Sequence, residues 1–371
     1  MTIPFVDLRV QDADVRREIS RAVEQAIDDT QFILGEQVAA FERSFAEYSG
    51  ADHCIGVANG TEALHLTLRA LGVGPGDEVI TAANTFVATA LAIAYTGATP
   101  VLVDADPSDY LIDVELIERA ITRQTKAILP VHLYGQPANM PAILEIAEKH
   151  SLPVVSDACQ AHGSRIGDTP IGAFGTAACF SFYPSKNLGA FGDGGGIVTS
   201  DATLAERIRM LRNYGQRAKN DITMLGYNSR LDTLQAAILA VKLRYLDEAN
   251  ERRRAAAAKY RELLEDMDLV LPTENDGVMH VYHLFVVQHE QRDELMSHLQ
   301  NVGVQCGVHY PTPIHAIPPF CRARTVPDGA PVSSQLARRI LSLPMYPELS
   351  DVQIERIAAA VNSFNARLAV A

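Results

Sequence analysis

Basic residues are in deficit: 32 Lys and Arg stand against 45 Asp and Glu, a formal charge of -13. That balance argues against a general nucleic-acid binder, while leaving room for a local basic pocket that takes a phosphorylated ligand. CxxC pairs are missing as well. The five cysteines (Cys54, Cys159, Cys179, Cys306, Cys321) are scattered, and an odd number without metal-ligand spacing fits reduced thiols in a cytoplasm and no zinc site. No apolar run is clean enough for a membrane span. The most apolar window, residues 82–103, is broken by Asn84, Tyr95, Gly97 and Pro100, and reads as a buried helix followed by a strand. The opening MTIPFVDLRVQDADVRR reaches an acid at Asp7 without the apolar stretch a signal peptide needs. Repeats and low-complexity tracts are absent too. What remains is ordinary globular composition, 47% hydrophobic and 21% charged, over 371 residues. That length holds one large domain with a smaller companion.

Between residues 50 and 200, helical patterns alternate with short β-rich runs. Leu64, Leu68 and Leu71 recur at helical spacing, opened by Asn59-Gly60-Thr61 and closed by Gly72. Strand-like runs follow at 78–81, 100–104, 127–131, 153–156, 177–182 and 197–199, with amphipathic stretches at 113–121 and 140–150 between them. That rhythm predicts an α/β domain with a largely parallel sheet covered on both faces. After residue 200 the texture changes. A long helical region, 231–264, is expected to break near Glu248; then come a strand at 281–287, a helix at 291–302, a proline-rich loop at 311–319 and a closing helix at 352–368. The expected division is a large domain, 1–245, including an N-terminal arm, and a smaller α+β domain, 246–371.

Three polar clusters sit at ends of expected strands, where open α/β sheets gather ligands. Asn59-Gly60-Thr61 opens a helix, so its N–H groups and the Thr61 hydroxyl suit a phosphate, although a plain helix cap reads the same way. Asp157 follows the run LPVVS directly; a buried acid there needs a partner, and a structural salt bridge would serve as well as a ligand. Ser181 and Lys186 lie in CFSFYPSKNLGAFGDGGGIVTS, which places one amine between two core-like runs on a glycine-rich turn. Alone, Lys186 could be a snorkelling or salt-bridged surface lysine. Together the clusters are what a pyridoxal 5'-phosphate site requires: an amine (Lys186), an anion for the ring nitrogen (Asp157), a phosphate cradle (Gly60, Thr61, Ser181) and a flat stacking partner (Phe86).

The chain also resembles a known family, the DegT/StrS-type sugar aminotransferases, a branch of the fold-type-I pyridoxal-phosphate enzymes. The resemblance runs from PFVDL to LSLPMYPEL and is carried by FILGEQVAAFE, VANGTEAL, GVGPGDEVI, NTFVATA, LPVHLYGQ, SDACQAHGS, SFYPSKNLGAFGDGGGIVT, GYNSRLDTLQAAIL and HYPTPIH. It implies a large domain with a mostly parallel seven-stranded sheet. It also implies that Lys186 is the Schiff-base lysine, Asp157 the partner of the ring nitrogen, Gln160 a residue against the ring near its hydroxyl, and Phe86 the stacked aromatic. Gly60, Thr61 and Ser181 match phosphate ligands, and Asn228 matches one donated by the neighbouring subunit, so a homodimer with shared sites is implied. Ser156 stands where the family often has an acid, and Cys159 where alanine is common; neither touches a required role.

The function implied is transfer of an amino group from L-glutamate to a nucleotide-linked keto-sugar. The motifs look most like those of enzymes aminating C3 of a dTDP- or UDP-linked 3-keto sugar, and His309 and Tyr310 are candidates to line the sugar pocket. Amination at C4, or of a keto-inositol, is the alternative. A sugar dehydratase of the same fold has histidine at the Schiff-base position, which Lys186 opposes. A non-catalytic regulatory homologue would have lost the cofactor set, which is intact here.

Overall fold

A computed structural model describes residues 2–9 and 12–368, so the last three residues of the expected second domain lie outside it. Seven strands build the main sheet: β1 (His53–Val57), β2 (Glu78–Ala82), β3 (Thr99–Val103), β4 (Thr125–Leu129), β5 (Val155–Asp157), β6 (Ala177–Ser181) and β7 (Gly195–Thr199). Their spatial order is β3-β2-β4-β5-β6-β7-β1, with the β4–β5 join made by parallel bridges at Ile128–Val154 and Val131–Asp157. Only β7 runs against its neighbours. Nearly every residue of these strands is buried, as expected where helices cover both faces of a parallel sheet. Thr325–Val326 adds a short parallel edge beside β3.

Three features differ from the sequence-based expectation, one being the strand expected at 281–287, which forms only over Phe285–Gln288. The strand β1 carries Gly56 in its middle and so shows little of the β-branched pattern that marks a strand. A side chain there would bring Cβ to 3.0 Å from Leu231 Cβ and 3.3 Å from Glu42 Oε1, so the glycine permits a close approach. The long helical region breaks earlier than Glu248, at Arg244–Tyr245, between helices Thr233–Leu243 and Leu246–Leu264. Both residues at that break turn to Glu18 of the helix Ala13–Asp28, through the Arg244 guanidinium and the Tyr245 hydroxyl.

Beneath the sheet, Phe41 and Phe45 of the helix Glu36–Tyr48 meet Phe180 and Phe182 edge to face at 5.1–5.4 Å. A second core gathers Tyr260, Phe285, Leu295, Leu341, Ile354 and Val361 around the antiparallel pair Phe285–Gln288 and Ile340–Leu343. Ile3 packs into this second core and pairs with Val304.

Since β1 is an edge strand, the N–H and C=O of Gly56 on its free side need partners. Glu42 Oε1 accepts the N–H at 2.7 Å, Arg212 Nη1 donates to the C=O at 2.7 Å, and the two buried side chains pair with each other. Replacing one partner leaves the other charge buried and uncompensated. Arg212→Met should therefore cost about 3–5 kcal/mol. The chain has no tryptophan, so far-UV circular dichroism through a urea titration is the measurement. A loss below ~1 kcal/mol would place this pair with ordinary surface bridges.

Candidate active site

The expected site residues are delivered by carboxyl ends of strands, and each follows from local chain geometry. Behind β1 the chain turns into the helix Gly60–Ala70, capped by Asn59, whose side chain accepts the Glu62 N–H at 2.9 Å. The N–H groups of Gly60 and Thr61 precede the first intrahelical bond, as at any helix start. Gly60 is obligatory here: a Cβ would lie 2.7 Å from Ser181 Cβ and 2.9 Å from Cys159 Sγ. Phe86 follows β2 and caps the helix Val87–Tyr95, leaving its ring about half exposed. Asp157 ends β5. Ser181 ends β6, and five residues later Lys186 sits in a turn closed by its own N–H to Tyr183 C=O at 2.9 Å.

One cavity of about 680 Å³ is lined by Gly60, Thr61, Phe86, Asp157, Gln160, Ser181, Lys186, His309 and Tyr310. Asn228 is outside it; this residue is exposed and bridges to Asn213. The buried Asp157 accepts from Thr89 Oγ1 at 2.8 Å and from the Cys159 N–H at 3.2 Å. Gln160 accepts the Tyr134 N–H at 2.6 Å and donates to the Tyr310 hydroxyl at 3.0 Å. The Tyr310 ring lies 5.2 Å from that of Phe86, tilted by 35°. His309 stacks on Phe5 at 5.3 Å and shares a 2.9 Å hydrogen bond with Ser342, while its carbonyl accepts from the Tyr134 hydroxyl.

Behind Lys186, Asn187 donates to Asn250 and to the Val281 C=O, and Lys242 donates to the Gly189 C=O. The turn is thus fixed at both ends. Burial pushes the Lys186 amine below its ordinary value, opposed by the nearby carboxylate of Asp157. A lysine less basic than usual is a better nucleophile and base at neutral pH. Burial also lowers His309 to about 4, with the Lys186 charge adding to it, and holds His283 well below its ordinary value. Both therefore face the cavity as neutral imidazoles.

Sequence reasoning missed Thr85, Thr89, Tyr134 and Phe5. The threonines had a signal, because their i,i+4 spacing in NTFVATA puts both hydroxyls on one side of a helical turn. Tyr134 and Phe5 had none, since both act through contacts with a distant segment. Among the described residues no cluster of His, Cys, Asp and Glu could hold a metal ion, and no helix is long and apolar enough to cross a membrane.

One cavity at the carboxyl ends of a fold-type-I sheet, lined by a lysine, a carboxylate, a helix start and an aromatic ring, has the groups an aminotransferase site would need. Residues 13–362 match the DegT/DnrJ/EryC1/StrS aminotransferase family, and the chain belongs to it. A dTDP-3-amino-3,4,6-trideoxy-alpha-D-glucose transaminase of Streptomyces venezuelae is 46% identical over 368 residues, 99% of this chain and 97% of that protein. A UDP-N-acetyl-3-dehydro-alpha-D-glucosamine 3-aminotransferase of Acidithiobacillus ferrooxidans is 48% identical, covering 97% of each. Among solved structures, DesV of S. venezuelae in complex with a ketimine intermediate superposes with a TM-score of 0.96 at 45% identity, covering 98% of both chains. NtdA of Bacillus subtilis, with bound cofactor PMP, gives 0.91 at 32% identity, covering 98% of this chain and 85% of that one. The chain is an aminotransferase.

Burial also holds His132, His162 and His280 near a pKa of about 3, the Lys186 charge adding to the effect at His162. The unfolded chain takes up a proton at each near 6.5, whereas the folded chain does not until about 3. Stability present above 6.5 is therefore lost as the pH falls through that window, by about 2 kcal/mol per histidine on reaching about pH 5. Urea midpoints followed by circular dichroism should drop steeply between about pH 7 and about pH 5. An unchanged midpoint would mean that these imidazoles are not buried as described.

Proposed function

We propose that this aminotransferase uses pyridoxal 5'-phosphate to move an amino group from L-glutamate to C3 of a dTDP- or UDP-linked 3-keto sugar. The observation that carries the reading is that Lys186 and Asp157 line one cavity together with Gly60, where a Cβ would not fit. The residues fit the cofactor. Gly60, Thr61 and Ser181 would hold its phosphate, in a cradle that a single Cβ at Gly60 would fill. Phe86 would cover one ring face and Gln160 would lie against the other, while Asp157 would accept from the ring nitrogen. Lys186 would hold the aldehyde carbon. When bound, the cofactor supplies an electron sink for the carbon that loses a proton.

The chain's own residues do the rest. Lys186, its basicity reduced by burial, takes the proton from the α-carbon of glutamate and delivers one on the return half-reaction. Asp157 keeps a negative charge opposite the ring nitrogen, where it matters most as electron density moves inward. His309 and Tyr310, one neutral and one bonded to Gln160, would meet the sugar. The relatives at 46% and 48% identity act on nucleotide-linked sugars aminated at C3, which supports that position. The reading includes a homodimer in a cytoplasmic setting, with Asn228 completing the partner's phosphate cradle, and a division of the chain near residue 245.

Two experiments test this. Protein loaded with pyridoxal phosphate and reduced with borohydride should carry a pyridoxyl label on Lys186 by peptide mapping, and incubation with glutamate should yield a C3-aminated product from a 3-keto nucleotide sugar. A label elsewhere defeats the site; product only from 4-keto substrates defeats the C3 assignment. For the shared site, an inactive Lys186→Ala chain mixed with an inactive Asn228→Ala chain should regain activity through heterodimers. No recovery after demonstrated subunit exchange would mean that each chain completes its own site.

A further inference from the structure

We propose that Thr89, backed by Thr85, is a positioning residue for Asp157, setting how strongly that carboxylate engages the ring nitrogen of the cofactor. The inference rests on the reading of Asp157 given above. Thr89 is fully buried, and its hydroxyl donates to Asp157 Oδ2 at 2.8 Å. The Thr85 hydroxyl lies 2.9 Å from the Thr89 hydroxyl. A hydroxyl has one proton to give. Since Thr89 spends its proton on the carboxylate, Thr85 must donate to Thr89, and the chain has one direction: Thr85 to Thr89 to Asp157. Its first member lines the cavity, while Thr89 does not.

Three consequences follow from that direction. Each carboxylate oxygen has one protein donor, Thr89 on Oδ2 and the Cys159 N–H on Oδ1, so the plane of the carboxylate is pinned on both sides. Donors to the charged form favour it, and a donor that itself accepts a hydrogen bond is polarised further. Both hydroxyls come from the turn that presents Phe86, because the Thr89 N–H closes onto the Phe86 C=O at 3.1 Å. The stacking face and the carboxylate are therefore aligned by one segment, residues 85–89. Valine has the shape of threonine without the hydroxyl, so Thr89→Val removes the donor and little volume.

The test loads each variant with pyridoxal phosphate carrying ¹⁵N in the ring and reads the ring-nitrogen resonance across pH, alongside single-turnover reaction with glutamate. Thr89→Val should move the resonance toward the unprotonated position and slow the half-reaction about tenfold or more, with little change in the glutamate concentration giving half-saturation. Thr89→Ser should restore both readouts, and Thr85→Val should give a smaller shift in the same direction. If Thr89→Val does not fold, Thr89→Ala with the same readouts decides. A resonance unchanged from wild type in Thr89→Val or Thr89→Ala, with a rate within about threefold, overturns the proposal. Asp157→Asn separates the two levels: if it shifts the resonance and the Thr89 variants do not, only this inference fails. If Asp157→Asn also leaves the resonance unchanged, the reading of Asp157 itself is wrong.

Discussion

A carboxylate at the buried end of a central strand is costly to keep unless donors surround it, and that constraint at Asp157 organises the rest of the site. The Cys159 N–H that meets it comes from the turn directly after β5, so the segment DACQAH has to fold back over the strand end. The same turn brings Gln160 to the Tyr134 N–H and the Tyr310 hydroxyl, and buries His162 among Phe180 and Phe182. The hydroxyl that meets it from the other side belongs to the helix Val87–Tyr95, whose cap, Phe86, lines the cavity. One charge is thus met by two turns.

The Lys186 amine, on the same cavity, stands on a turn fixed by hydrogen bonds at both ends. The turn carrying Lys186 is tied through Asn187 to Asn250 and Val281, and through Gly189 to Lys242. Gly189 sits so close to Pro184 that a Cβ would lie 2.3 Å from its carbonyl oxygen. Gly195 approaches Asn59 in the same way, at 2.4 Å. These glycines are where the loop, the antiparallel strand β7 and the helix start are pressed together. Packing of that kind leaves the turn that carries Lys186 little room to reorganise.

What could be read from the sequence follows from how local each signal was. Asp157 and Gly60 stand at a strand end and a helix start, and Lys186 in the turn after β6, so motif and spacing were enough to place them. The strand β1 was hidden because Gly56 dilutes its pattern, and its edge is satisfied by Glu42 and Arg212 from helices on either side in sequence. The helix breaks at Arg244–Tyr245, where both residues meet Glu18, more than two hundred residues away in sequence. Thr89 was visible as a helical residue but not as a ligand of Asp157, since that bond spans 68 residues. Asn228 stands apart from the cavity of its own chain, exposed and bridged to Asn213.

The walls of the cavity come from two differently anchored parts of the chain. The floor, with Gly60, Asp157, Ser181 and Lys186, belongs to the parallel sheet and its glycine contacts. The mouth is formed by Phe5, His309 and Tyr310, and two of these are tied to the second core: Phe5 by its N–H to Gln305, beside the Ile3–Val304 pairing, and His309 by Ser342 of the strand Ile340–Leu343. Among the described residues, bonds from Tyr134 to the His309 carbonyl and from Gln160 to Tyr310 join them to the sheet side, against whose core Phe5 and Tyr310 also pack. Substitutions in the second core would reach Phe5 and His309 through Gln305 and Ser342 before they reach Asp157, whose two donors both belong to the sheet side.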